Sequence, residues 1–130
     1  TDPSAREQAG AAIQAPLYGN EVKEVFSALP KPFDEFVPHL LTSSAFGDFA
    51  TRGGLDVAQR ELISLVAIAA IGATTQLRPH VAGAIRAGSS RQKVAAALVQ
   101  VMPYIGGPYA LSGLVLVARY DESASAEAYR

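Results

Sequence analysis

Two apolar runs constrain this chain more than any other feature. Leu62–Ile71, broken only by Ser64, and Tyr109–Ala118 both fall well short of the roughly 20 residues that a bilayer crossing needs. They therefore read as core helices. Asp56 followed three residues later by Gln59 has capping-box spacing and opens a helix that runs to Gly72, a natural terminator. The second half of that helix is apolar on every side, so it must be buried within the subunit or between subunits. No period-2 run of β-branched residues flanked by hairpin turns occurs, and 24 alanines favour helix as well. The expected class is all-α.

The rest of the chain divides on the same signals. Residues 1–19, with Pro3, Gly10, Pro16 and Gly19, read as an N-terminal arm or short helix outside the core. Asn20 can cap a helix whose acidic first turn suits the dipole and which ends at Pro30. A second helix is expected over 32–46, with Phe33, Phe36, Val37, Leu40 and Leu41 on one side and Pro38 as a kink or a delayed start. A segment beginning between Thr75 and Pro79 should run to Gly88, because proline is tolerated in a first turn. Ser89 or Ser90 then caps a helix stopped by Pro103, and Gly106-Gly107-Pro108 turns the chain into a last helix ending near Tyr120. The expected organisation is one domain over 20–120, followed by a polar tail over 121–130.

Charge and composition exclude whole classes of function. There is no cysteine, hence no thiol redox chemistry, disulfide or thiolate metal site. Eleven Lys+Arg against twelve Asp+Glu leave no basic excess for a nucleic-acid backbone. Neither a nucleotide-binding glycine loop nor a histidine/carboxylate cluster is present, so neither an organic cofactor nor a metal is expected. The start of the chain lacks a basic segment followed by an apolar one, which makes the cytoplasm the expected location, with no membrane partner. With 49% hydrophobic and only 18% charged residues, a domain this small has too few charges to cover itself, and a homo-oligomer is expected.

The charge is also unevenly placed. Residues 62–120 contain five bases (Arg78, Arg86, Arg91, Lys93 and Arg119) and no acid. They either line a pocket for an anionic small molecule or pair with the acidic first half inside an oligomer. His80 shares a helix face with Gln76 and Ala84, and a place near a helix N-terminus would keep its imidazole neutral and able to carry a proton. Glu61 stands where the apolar half of its helix begins, so it needs either a partner or a role as acid or base. His39 has less company and reads as structural.

The order Thr51-Arg52-Gly53-Gly54-Leu55-Asp56, Arg60-Glu61-Leu62, Gln76-Leu77-Arg78-Pro79-His80, Ala87-Gly88-Ser89 and Tyr104-Ile105-Gly106-Gly107-Pro108-Tyr109-Ala110 resembles the carboxymuconolactone decarboxylase family over roughly residues 20–120. The resemblance implies an alkylhydroperoxidase-D-like bundle of about six helices, assembled as trimers or hexamers. In the thiol branch of that superfamily a glutamate is followed at +12 and +15 by cysteines and at +19 by histidine. Counting from Glu61 gives Ala73, Gln76 and His80, so the dithiol peroxidase route has no nucleophile here.

What remains resembles the decarboxylase branch, whose namesake reaction needs no cofactor because the substrate supplies its own electron sink. On that reading Arg52 and Arg78 orient carboxylates, Gln76 donates to a developing enolate oxygen, His80 carries the proton with Glu61 beside it, and Tyr104 lies on the substrate side. The chain departs from the branch at Gln76, at Gly53 and at Arg86-Ala87-Gly88. The expected function is a cofactor-independent lyase or isomerase acting on a small anionic lactone or related carboxylate. The alternative is an oligomeric ligand-binding or assembly protein that kept the fold without the chemistry. Light scattering on a dilute sample should return a multiple of 13.6 kDa, and a folded monomer would contradict the expected self-association.

Overall fold

The computed structural model describes residues 2–121; the end of the expected polar tail lies outside them. Among the described residues there are seven α-helices, one π-helical segment and no strand. They are α1 (Pro3–Tyr18), α2 (Glu21–Phe26), α3 (Phe33–Leu40), the π segment (Leu41–Phe49), α4 (Val57–Ala70), α5 (Thr74–Arg86), α6 (Arg91–Ile105) and α7 (Gly107–Ala118). The fold is all-α. No helix among the described residues is long and apolar enough to cross a membrane. The chain forms two compact units, the first ending at Val57 and the second beginning at Ala58.

In the first unit, α1 is more than the expected arm. Asp2 accepts from the Ser4 N–H at 3.0 Å as its N-cap, Pro3 occupies the position where a missing N–H is harmless, and Gly19 at φ 59° ends it. Gly10, Gln14, Leu17 and Tyr18 are buried because α1 packs along the π segment. The approach is backbone to backbone. A Cβ on Gly10 would overlap the Thr42 carbonyl oxygen and come within 2.8 Å of the Gly47 nitrogen, and one on Gly47 would stand 2.6 Å from the Arg6 carbonyl. Thr42 and Gly47 are five residues apart, one turn of an i→i+5 helix, which is why both face the same glycine of α1. Three further contacts tie the pair together: Thr42 Oγ1 donates to Gln14 Oε1 at 2.6 Å, Arg6 forks onto Asp48 at 2.7 and 2.5 Å, and Tyr18 meets Phe46 edge-on at 5.8 Å.

The expected single helix over 32–46 is thus two elements. α3 accommodates Pro38 inside it, and the turn widens from Leu41. Its expected apolar side stays uncovered in the chain: Phe33, Phe36 and Leu40 are all about half exposed, and Pro38 is the buried residue of α3.

The second unit has its own core, made by Leu65 and Ala69 of α4, Leu77, Val81 and Ala84 of α5, Val94 and Leu98 of α6, and Val117 of α7. α6 and α7 close tightly because Gly113 leaves room for Leu98; a Cβ there would fall 2.9 Å from both leucine methyls. Ser90 caps α6 by accepting from the Lys93 N–H at 3.0 Å. Two prolines behave differently from expectation. α5 begins at Thr74, which puts Pro79 inside it, and α6 passes through Pro103 to Ile105 and stops at Gly106 with φ 89°. Each proline forfeits one helical hydrogen bond and strains the turn before it, a cost of about 3 kcal/mol in an exposed helix; around Pro79 burial of Leu77, Val81 and Ala82 offsets it, whereas Pro103 is exposed and lies in the last turn of α6. α4 is not buried all round among the described residues either: Ile63 is exposed, as are Ile71 just beyond its end and Leu111 and Val115 on α7.

Gly10→Ala should lower stability in urea melts by about 2–4 kcal/mol, because the methyl meets main-chain atoms that cannot move aside. Gly107→Ala, with open space around its Cβ position, should be neutral or stabilise by up to about 1 kcal/mol.

Candidate functional site

The candidate catalytic groups of the second unit sit on α4 and α5. Glu61, Leu65 and Ala69 follow one another at four-residue steps, so they share one face of α4, and all three are buried. That face enters the same core as Leu77 and Val81 of α5. A carboxylate thus sits at the margin of an apolar cluster, on the buried face expected of it.

His80 is half-buried between the fully buried neighbours Pro79 and Val81. Its Nδ1 lies 2.7 Å from the Gln76 carbonyl oxygen, one turn earlier on α5. A carbonyl can only accept, so Nδ1 must carry the hydrogen, and in the neutral ring Nε2 is then the basic nitrogen. This replaces the helix-dipole argument. Because α5 starts at Thr74 and is 13 residues long, His80 is mid-helix, beyond the first turn in which the dipole acts. What orients the ring is a main-chain acceptor, a feature that helix spacing puts in reach but does not reveal.

The other expected site residues are distributed more widely. Gln76 is exposed in the first turn of α5; its backbone oxygen holds His80, while its side-chain amide makes no hydrogen bond among the described residues. Arg78 is exposed on α5. Tyr104 is 81% exposed near the end of α6. Arg52 belongs to the first unit, exposed in the turn that follows the π segment, with its backbone N–H donating to Phe49 at 3.3 Å. Among the described residues no group of three or more His, Asp or Glu is placed to hold a metal ion.

Three features of the second unit escaped the sequence reading. Arg91 is an architectural cation: its guanidinium donates to the Val117 carbonyl at 2.9 and 3.3 Å and to Ala118 at 3.1 Å, closing the C-terminal end of α7. Gly72, at φ 73°, lies under the Tyr109 ring, 2.9 Å from where its Cβ would be. Ser89 Oγ is buried with no hydrogen-bond partner among the described residues, while its neighbour Ser90 is the cap. The Ser-Ser pair signalled a cap but not which serine would be enclosed.

The sequence profile of the carboxymuconolactone decarboxylase family matches residues 37–119 of this chain. That segment includes α4, α5, α6 and α7, with both Glu61 and His80. A nitrosuccinic acid decarboxylase of Metarhizium robertsii (strain ARSEF 23 / ATCC MYA-3075) is 27% identical over 110 residues, covering 85% of this chain and 77% of that protein. Long-range nitrogen–proton NMR correlations should find neutral His80 with its hydrogen on Nδ1; a predominant Nε2–H form would contradict the orientation described here.

Proposed function

The chain belongs to the carboxymuconolactone decarboxylase family, and from that premise we propose that it removes CO2 from a small organic acid without the help of a cofactor, with His80 carrying the proton. The observation that carries this reading is the bond from His80 Nδ1 to the Gln76 carbonyl. It leaves Nε2 as a base of fixed direction that, once protonated, can hand its proton to carbon. The similarity to a nitrosuccinic acid decarboxylase supports the same type of chemistry.

The substrate class follows from what such a site must do without an added electron sink. The bond between carbon and the departing carboxylate breaks and its electron pair stays on that carbon. A lactone carbonyl in conjugation with it, or a nitro group attached to it, takes up the charge, CO2 leaves, and protonated His80 returns a proton to the carbon. The substrate is thus an acid bearing its own carbonyl or nitro acceptor. Arg78 serves as an anchor for carboxylates, Gln76 as a donor to the oxygen on which charge develops, and Glu61 as the carboxylate that balances imidazolium. Tyr104 borders the substrate.

We propose further that the working form is a homotrimer or homohexamer. Phe33, Phe36 and Leu40, then Ile63 and Ile71, then Leu111 and Val115, stand exposed among the described residues, and self-association would cover them.

The test is CO2 release from carboxymuconolactone and nitrosuccinate, with the corresponding acids lacking the acceptor group as controls. His80→Ala should lower kcat about 100-fold or more while mass and thermal midpoint hold. Arg78→Ala should mainly raise KM, since an anchor binds the ground state as well as the transition state. Normal turnover by His80→Ala would remove the proton-carrying role. A folded oligomer that releases CO2 from neither acid would favour the ligand-binding alternative.

A further inference from the structure

The first unit contains a cleft of about 810 Å³, within the size range of sites for small organic molecules. It is built by α1, α2, α3 and the start of the π segment. Most of its wall precedes residue 37, where the family match begins, and every residue lining it lies in the first unit. Ala11, Ala15, Phe36 and Pro38 supply an apolar wall.

Charge does not select an ion for this cleft. Three carboxylates, Glu7, Asp34 and Glu35, stand against two lysines, Lys23 on the wall and Lys31 beside it. His39 Nδ1 lies 3.1 Å from Glu7 Oε1 and adds a positive charge only when protonated. An anion therefore finds no surplus cation. A cation would have to compete with Lys31, whose ammonium holds both Asp34 and Glu35 at 2.8 Å. The other Asp34 oxygen is unpartnered but sealed from solvent, and so from a molecule in the cleft.

The polar group that the cleft does leave open is the amide of Gln14. That residue is only 6% exposed. Its oxygen accepts from Thr42 Oγ1 at 2.6 Å, while its N–H₂ makes no hydrogen bond among the described residues. The unpartnered side-chain atoms sealed from solvent among those residues are Asp34 Oδ1 and Ser89 Oγ. Gln14 Nε2 is unpartnered without being sealed, and the space that Gln14 borders is the cleft. A donor held this far from bulk water forfeits stability until something accepts from it.

We propose that this cleft is a second ligand site, in addition to the His80 site, and that it takes a neutral molecule with an apolar body and a carbonyl oxygen, such as a ketone, an ester or a lactone. The carbonyl oxygen accepts from Gln14 Nε2, and the hydrocarbon part lies against Ala11, Ala15, Phe36 and Pro38. A carbonyl suits the site because it accepts without donating: Glu7 Oε1, Glu35 Oε1 and Gln14 Oε1 already face partners, so a ligand N–H or O–H would have to displace one. Lacking charge, the ligand also leaves the pairings of Lys31 and His39 intact.

The experiment uses the full chain and 2-heptanone as probe, with heptanoate and heptylammonium as charged controls, followed by titration calorimetry and by NMR at the Gln14 side-chain amide. The ketone should bind with Kd of about 1 mM and shift the Gln14 N–H₂ signals, and both ions should bind at least about threefold more weakly. Gln14→Met, which keeps the bulk and removes the donor, should weaken ketone binding about fivefold or more. The N–H₂ shift in wild type tests the same contact without a substitution. Ala15→Trp, at an exposed position on the wall, should block the cleft and abolish binding in a folded protein, whereas His80→Ala should leave it unchanged. Either ion binding as tightly as the ketone would overturn the neutral class. Gln14 signals that stay put at saturation, or equal binding to folded Gln14→Met, would overturn the role of the amide. No binding by about 10 mM would overturn the site, and loss of binding in His80→Ala would place the ketone at the other site instead.

Discussion

Leu77, Pro79, Val81, Ala82, Gly83 and Ala84 are all buried, so α5 is enclosed on most of its circumference along the stretch that carries His80. The small residues at 82–84 allow neighbouring helices to come close, and the enclosure limits where the His80 ring can turn. Side chains on a helix lean toward its N-terminal end, which directs the ring to the carbonyl of Gln76. The orientation of the His80 ring thus follows from the packing around it. The same enclosure explains how Pro79 survives inside the helix, since the lost hydrogen bond is a local cost and the burial is spread over two turns.

The imbalance of charge along the chain resolves into local arrangements. In the first unit, Asp48 is held by Arg6, Asp34 and Glu35 by Lys31, and Glu7 by His39. These acids have partners near at hand within the unit. Within that stretch Arg91 is committed to the end of α7. Exposed pairs of this kind contribute little to stability.

Glycine contacts set how near the helices lie. Gly10 and Gly47 bring α1 against the π segment, and Gly113 brings α7 against α6. In each case the absent Cβ is replaced by the main chain or a leucine of the neighbour, which a methyl group would displace. The exposed apolar residues elsewhere have no such neighbour among the described residues, and self-association is the proposal that covers them.

The helical class, the helix that closes at Gly72 and a serine cap at 89 or 90 were legible in the sequence, because they depend on local chemistry and on a 3.6-residue period. The motif order from Thr51 to Ala110 likewise pointed to the family. Four things needed the tertiary structure. Pro79 lies inside a helix because packing outweighs a local penalty that sequence can only count as a stop. The π segment follows i→i+5 bonds, a period the helical reading does not test, so the contact of Thr42 and Gly47 with Gly10 was invisible. Arg91 reaches carbonyls 26 and 27 residues away, and the pairing of Glu7 with His39 joins residues far apart in the chain. Local rules assign each residue its conformation and its face; which distant charge or carbonyl it meets is decided only when the helices pack.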